Sequence, residues 1–211
     1  MSVYTAHRRT SSLNGIIRTV RNVRTFRILM PLSDASTLST ARLMLRPLRM
    51  EDAAPLFAMY SDVEFMRYWS FPVMKRFEQA VDYLARRMQG FAADMEIVWT
   101  IELAATHEAI GTCSLFNFDI ASKRAEIGFG LQRPFWGHGY MSEAARAAVD
   151  CAFDALRLHR VEAEIDPRNH ASARVLERLG FVREGVLRER WFVDGKISDG
   201  AIYGLLRTDR L

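Results

Sequence analysis

Two glycines spaced by one residue, Gly137 and Gly139, stand between a strand-like run and a helical one. The run Ala125-Glu126-Ile127-Gly128-Phe129-Gly130-Leu131 leads into Phe135-Trp136-Gly137-His138-Gly139-Tyr140-Met141-Ser142. Glycine lets a backbone take unusual torsions and approach a ligand closely. The first turn of the helix that follows offers unpaired N–H groups and the positive end of the dipole, which together suit an anion. A pyrophosphate is the natural ligand for such a turn. The segment has neither the G-x-G-x-x-G of dinucleotide folds nor the Lys-Ser/Thr of a P-loop, so taken alone it reads equally well as a structural turn.

The elements around it follow from hydrophobic spacing. Arg42 to Leu48 alternates as a first strand, and Glu51-Asp52 opens a helix carrying Ala54, Leu56, Phe57 and Tyr60. Phe77 to Met88 is a second amphipathic helix. Glu96 to Leu103, Ile110 to Phe118 and Ala125 to Leu131 are rich in branched and aromatic residues, as strands are. Tyr140 to Leu158 reads as one long helix, and Val161 to Ile165 as a short strand stopped by Pro167. Asn169 can cap a helix bearing Val175, Leu176 and Leu179, which Gly180 terminates. Val186 to Val193 and Ile197 to Leu205 flank Asp194-Gly195, a strong hairpin signal. The predicted order is β-α-α-β-β-β-α-β-α-β-β, without repeats.

At 211 residues, 49% hydrophobic and 26% charged, the chain is neither collagenous nor highly charged and disordered, and one folded domain is expected. No apolar run approaches the roughly 18 residues of a membrane span. Cys113 and Cys151 form no C-x-x-C pair, which excludes a disulfide framework or zinc site and fits a reducing cytosol. The formal charge of +4 is uneven: residues 1–33 hold six arginines and no acid, and the remainder carries 23 basic against 25 acidic residues. The body therefore lacks the excess a nucleic-acid-binding domain usually shows. Residues 1–40 read as a basic, disordered extension and 41–211 as the folded domain. A short basic helix, a transit peptide, or a start at Met30 are other readings of the tail.

Ala-Glu-Ile-Gly followed by Trp-Gly-His-Gly-Tyr, then Asn169-x-x-Ser172 and Leu179-Gly180-Phe181, resembles the GNAT superfamily of N-acetyltransferases. Within it the chain is most similar to the branch of the ribosomal-protein N-terminal acetyltransferases RimJ and RimL, over about Ala41 to Leu206. The resemblance implies an α+β (α/β) fold with a mixed, mostly antiparallel seven-stranded sheet flanked by four helices. It implies acetyl-CoA as co-substrate, with the amides of Gly137, His138, Gly139, Tyr140, Met141 and Ser142 around the pyrophosphate. Main-chain groups of Phe129, Gly130 and Leu131 would pair with the pantetheine arm.

By the same resemblance Glu126 would be the general base, an ordinary exposed strand glutamate being the alternative. Ser172 would hydrogen-bond the CoA sulfur, against a locally satisfied helix serine. Asn169 would orient the pantetheine amides, and Arg174 would reach a CoA phosphate or simply be solvated. The sequence departs from the family at Trp136 and Met141, which flank the loop, and at Leu176, where many members carry a tyrosine general acid. Trp69, Phe71, Trp99, Phe116 and Phe118 offer aromatic surface for an acceptor pocket or for the core. Buried cysteines favour direct transfer over an acetyl-cysteine intermediate.

The expected protein is a cytoplasmic acetyltransferase, monomeric or homodimeric, that needs no metal or membrane and acetylates a protein N-terminus. A small cationic amine such as an aminoglycoside or polyamine is the alternative acceptor. An inactive CoA-binding module, motivated by Leu176 and Met141, and nucleic-acid attachment through the arginine tail are the competing functions.

Overall fold

The computed structural model of the chain describes residues 37–210. Strands β1 (Leu38–Ser39), β2 (Leu43–Pro47), β3 (Ile97–Leu103), β4 (Ala109–Asp119), β5 (Arg124–Leu131), β6 (Arg160–Ile165), β7 (Val182–Val193) and β8 (Lys196–Leu206) form one sheet in the order β1-β2-β3-β4-β5-β6-β8-β7. All neighbours are antiparallel except β5 and β6. Helices α1 (Ala53–Tyr60), α2 (Phe77–Ala92), α3 (Tyr140–Asp150) and α4 (His170–Arg178) complete the α/β architecture.

The sheet has eight strands where seven were expected, and the addition is the two-residue β1, paired to Leu45 and Met44. This strand lies before Ala41, ahead of the Arg42 to Leu48 run expected as the first strand. The arginine-rich segment 1–33 lies outside the described residues. The helix expected to run from Tyr140 to Leu158 instead ends at Asp150 and continues as a π-helical turn, Cys151–Ala155, in which Leu156 N donates to Cys151 O at 3.0 Å. Hydrophobic spacing does not distinguish a local i→i+5 turn from an α-helix, because the apolar face barely rotates.

Two apolar layers cover the sheet. On one face Leu43, Leu45, Trp99, Ile101, Cys113, Leu115, Ala125, Ile127 and Val161 pack under α3, whose Ala144, Ala145 and Ala148 allow close approach. On the other, Leu56, Met59, Tyr60, Ala80 and Leu84 of α1 and α2 pack on the β2–β4 half. Alternation along β5 follows directly: Ala125, Ile127 and Leu131 are buried toward α3, which turns Glu126, Gly128 and Gly130 to the opposite face. Asp194 and Gly195 both have positive φ (48° and 76°), the geometry of a two-residue β7–β8 hairpin turn.

A buried polar group locks α1 to the sheet. The Arg46 guanidinium donates to both carboxylate oxygens of Asp52 (2.9 and 2.8 Å) and to Glu102 (2.5 Å), and Thr100 Oγ1 donates to Asp52 at 2.7 Å. Burial works against the Asp52 carboxylate, but bonds from Arg46, the Arg49 amide and Thr100 outweigh it and hold its pKa below the usual value. Asp52→Ala should lower stability by about 3–5 kcal/mol, since it leaves a buried guanidinium short of a partner. A group with a depressed folded pKa contributes stability above its unfolded pKa and loses it as the pH falls through the folded one. In denaturant titrations the gap between parent and variant should thus be full at pH 7 and narrow below about pH 4.

Candidate active site

Strands β5 and β6 pair only at Arg124↔Arg160, Ala125↔Val161 and Glu126↔Glu162. Beyond that they part, β5 continuing against β4 to Leu131 and β6 against β8 to Ile165. From Ile127 to Leu131 one edge of β5 has no strand partner, and the two strands diverge there. Because the two strands are parallel, both lead out at the same end of the sheet, β5 toward the glycine bend and α3, β6 toward α4. Phe129, Gly130 and Leu131 lie along this edge; the Leu131 carbonyl already accepts the Trp136 indole N–H at 2.6 Å.

The bend takes the shape its glycines permit. Gly137 and Gly139 have φ of 81° and 79°, and Gly139 is the left-handed N-cap of α3. No side chain caps this helix, so the amides of Tyr140, Met141 and Ser142 lack an intrahelical acceptor. A Cβ at Gly137 would meet nothing within 4 Å, and one at Gly139 only Arg42 Nη2 at 3.6 Å. Met141 is 9% exposed and packs into the core under α3, so it does not fill the bend. Trp136, the other departure from the family pattern, pins the entry to the bend through its indole. His138 is exposed, its ring stacked on Tyr140 at 5.7 Å and its carbonyl accepting from Arg42 Nη1 at 3.0 Å.

On the open face, Glu126 is half-buried beside Phe116, its register partner on β4. Asn117 Nδ2 donates to Glu126 Oε1 at 3.1 Å from a bulge where Asn117 itself has φ of 50°. Burial raises the Glu126 pKa, the neighbouring Glu162 and Glu164 add to this, and the Asn117 bond and Arg124 oppose it. A carboxylate held in this way is a better base than an exposed one. Glu162 and Glu164 are themselves paired, Glu162 with Arg124 (2.7 Å) and Arg160 (2.6 Å), Glu164 with Arg190 and with the Trp191 indole (2.7 Å).

Past β6, Asn169 caps α4 by accepting the Ser172 amide at 3.1 Å. That leaves the half-buried Ser172 hydroxyl without a protein partner among the described residues. Arg174 is exposed on α4, and no contact ties it to the bend. Leu176 is fully buried, so the family's tyrosine position is part of the core. Cys113 and Cys151 are buried, and burial pushes their thiols up to about 12 and about 11, which makes both poor nucleophiles. Of the expected aromatics, Trp99 is fully buried in the core. Trp69 and Phe71 are half-buried in a cluster with Tyr60 and Tyr83, and a Cβ at Gly130 would strike Trp69 and Phe65 (3.0 and 2.7 Å). Sequence reasoning passed over Arg42 and Glu143, which meet from about a hundred residues apart, and Asn117, whose partner sits on the neighbouring strand.

With that geometry the comparisons agree. The family profile described as "Acetyltransferase (GNAT) domain" matches residues 42–182, and the chain belongs to this family. It is an N-acetyltransferase, and the family's acetyl donor is acetyl-CoA. An uncharacterized N-acetyltransferase, p20 of Bacillus licheniformis, is 35% identical over 177 residues, covering 82% of this chain and 97% of the relative. The spermidine N(1)-acetyltransferase of Escherichia coli K12 is 25% identical over 152 residues, 72% of this chain and 79% of that protein. The fold matches that of Mycobacterium smegmatis RimJ in complex with CoA-disulfide, with a TM-score of 0.76 at 24% identity over 84% of this chain and 90% of that one. Among the described residues no helix is long and apolar enough to cross a membrane.

Gly139→Asp would put a carboxylate at the N-terminus of α3, where donor phosphates would have to sit. Its affinity for acetyl-CoA in calorimetric titration should fall by at least about tenfold, about 1.4 kcal/mol. The far-UV spectrum should not change, because aspartate tolerates left-handed φ.

Proposed function

We propose that this enzyme carries acetyl from acetyl-CoA to the α-amine of a protein N-terminus, by direct transfer in a ternary complex. The observation that carries the reading is the parting of β5 and β6, which opens a slot flanked by a base, a bare β-edge and an uncapped helix N-terminus. Amides from Gly137 to Ser142 hold the pyrophosphate; charge-assisted N–H bonds to phosphate are stronger than neutral ones. The free edge of β5 at Phe129 and Gly130 pairs with the pantetheine amides, and Asn169 orients them from the opposite wall. This aims the thioester into the slot from the α3 end, and proximity supplies much of the acceleration.

The acceptor arrives mostly as an ammonium, which cannot attack. Glu126, directly or through water, removes that proton. The amine nitrogen bonds to the thioester carbon, giving a tetrahedral oxyanion, which gives up its second nitrogen proton to water and collapses with cleavage of the C–S bond and departure of the CoA thiolate. The Ser172 hydroxyl, without a partner among the described residues, hydrogen-bonds the departing sulfur. A CoA thiol leaves readily near neutrality, so positioning outweighs proton donation there. Arg174, exposed on α4, meets a phosphate from the solvent side of that helix.

One feature supports a peptide over a small polycation: arginines pair with Glu162 and Glu164, and the Trp191 indole hydrogen-bonds Glu164, so these carboxylates are already satisfied. The relationship to a spermidine acetyltransferase favours the second reading, a polyamine bound against the same carboxylates. A mass-spectrometric screen of peptide N-termini, polyamines and aminoglycosides for added acetyl groups decides between them. Acetylation of polyamines alone would overturn the peptide reading, and binding of acetyl-CoA without turnover on any amine would overturn catalysis. Glu126→Gln should cut kcat by about 10²–10⁴-fold with unchanged acetyl-CoA affinity. In the parent the acidic limb of kcat/KM should lie above the ordinary glutamate pKa, because burial raises that of Glu126. The limb should vanish in the variant.

A further inference from the structure

The bend at 137–142 poses a physical problem. Its two glycines have no Cβ to restrain them, and no side chain caps α3. A free loop of this kind would lose conformational entropy on closing around a ligand, which weakens binding. Met141 anchors its far end in the core and Trp136 its entry, but its centre, His138-Gly139, is exposed.

One side chain from elsewhere in the chain reaches that centre. Arg42, at the start of β2, donates from Nη1 to the His138 carbonyl at 3.0 Å. Its Nε donates to Glu143 Oε2 at 2.7 Å, its Nη2 lies 2.7 Å from the same oxygen, and its guanidinium covers the Tyr140 ring at 4.6 Å. Glu143, in the first turn of α3, is the hub: its Oε1 also accepts the Arg42 amide (2.9 Å) and Thr40 Oγ1 (2.6 Å). Partial burial opposes ionisation, but these donors prevail and hold the Glu143 pKa below its ordinary value.

We propose that Arg42, braced by Glu143, is a positioning residue for the acetyl donor. The inference rests on the reading of the bend as the pyrophosphate site. Two effects follow from the geometry. A trans peptide is planar, with its C=O and N–H pointing in opposite directions. Holding the His138 carbonyl toward Arg42 therefore turns the Gly139 N–H the other way and sets the bend before the donor arrives. The guanidinium also neutralises the one carboxylate in the first turn of α3, which would otherwise repel a phosphate at that helix end.

The test is a cycle of Arg42→Gln, Arg42→Lys, Glu143→Gln and the double Arg42→Gln/Glu143→Gln variant. It is read as Kd for acetyl-CoA and as KM against kcat, with Gly139→Asp alongside. Arg42→Gln and Glu143→Gln should each weaken acetyl-CoA by about tenfold, the loss falling on KM, and the double variant should lose little more than either single one. Lysine should rescue poorly, because an ammonium cannot hold the carboxylate and the carbonyl with a planar fork. Amide exchange at 137–142 should quicken in both single variants while the rest of the sheet is unchanged.

A direct phosphate contact by Arg42 gives the opposite sign at the second site: Glu143→Gln would release the guanidinium and tighten binding, and that result overturns the proposal. Unchanged affinity in Arg42→Gln, with Gly139→Asp impaired, overturns the brace and leaves the phosphate site standing. Unchanged affinity in Gly139→Asp overturns both. Should Arg42→Gln fail to fold, Glu143→Gln decides alone through the sign of its change.

Discussion

Pairing between β5 and β6 stops after Glu126 and Glu162, and the rest of the site depends on that parting. Backbone N–H and C=O groups away from bulk water need partners. Where two neighbouring strands separate, the edge that β6 would have satisfied must be met by water or by a ligand with amide-like groups. The parallel direction of this one pair has a second consequence. Both strands exit at the same end of the sheet, so the bend before α3 and the capped start of α4 become the two sides of one opening. An antiparallel pair would have sent them to opposite ends.

In the proposed reading, the donor side of the site is made of main chain rather than side chains. Gly137 and Gly139 supply left-handed torsions, and Gly130 lets the turn carrying Phe65 and Trp69 lie directly on β5. Main-chain recognition tolerates sequence change, which is why Trp136 and Met141 can differ from the family pattern. One pins a carbonyl and the other is absorbed by the core. The same tolerance leaves glycine-rich backbone underdetermined, and side chains such as Arg42 and Glu143 then set its shape.

The acceptor side runs on the balance of charge. Glu126, Glu162 and Glu164 share one face of the sheet, and arginines on β5, β6 and β7 neutralise the outer two. Glu126 keeps only a neutral amide donor, Asn117, and so combines burial with basicity. The high thiol pKa values of the buried cysteines and the burial of Leu176 are consistent with the direct attack proposed above.

Much of this was legible along the chain. The order of elements, the Asp194-Gly195 hairpin, the Asn169 cap and the glycine bend all arise from interactions between residues close in sequence. Spacing, capping and turn chemistry therefore report them. β1 escaped because two residues carry no period, and the π turn after Asp150 because it leaves the apolar face in place. The direction of Glu126 followed only once register buried Ala125 and Ile127 under α3. Asn117 beside Glu126, the Arg46–Asp52–Glu102 group and the brace of Arg42 on His138 and Glu143 were decided by tertiary structure alone. Each joins residues far apart in the chain or across strands, and no local pattern encodes a partner that only folding brings within hydrogen-bonding distance.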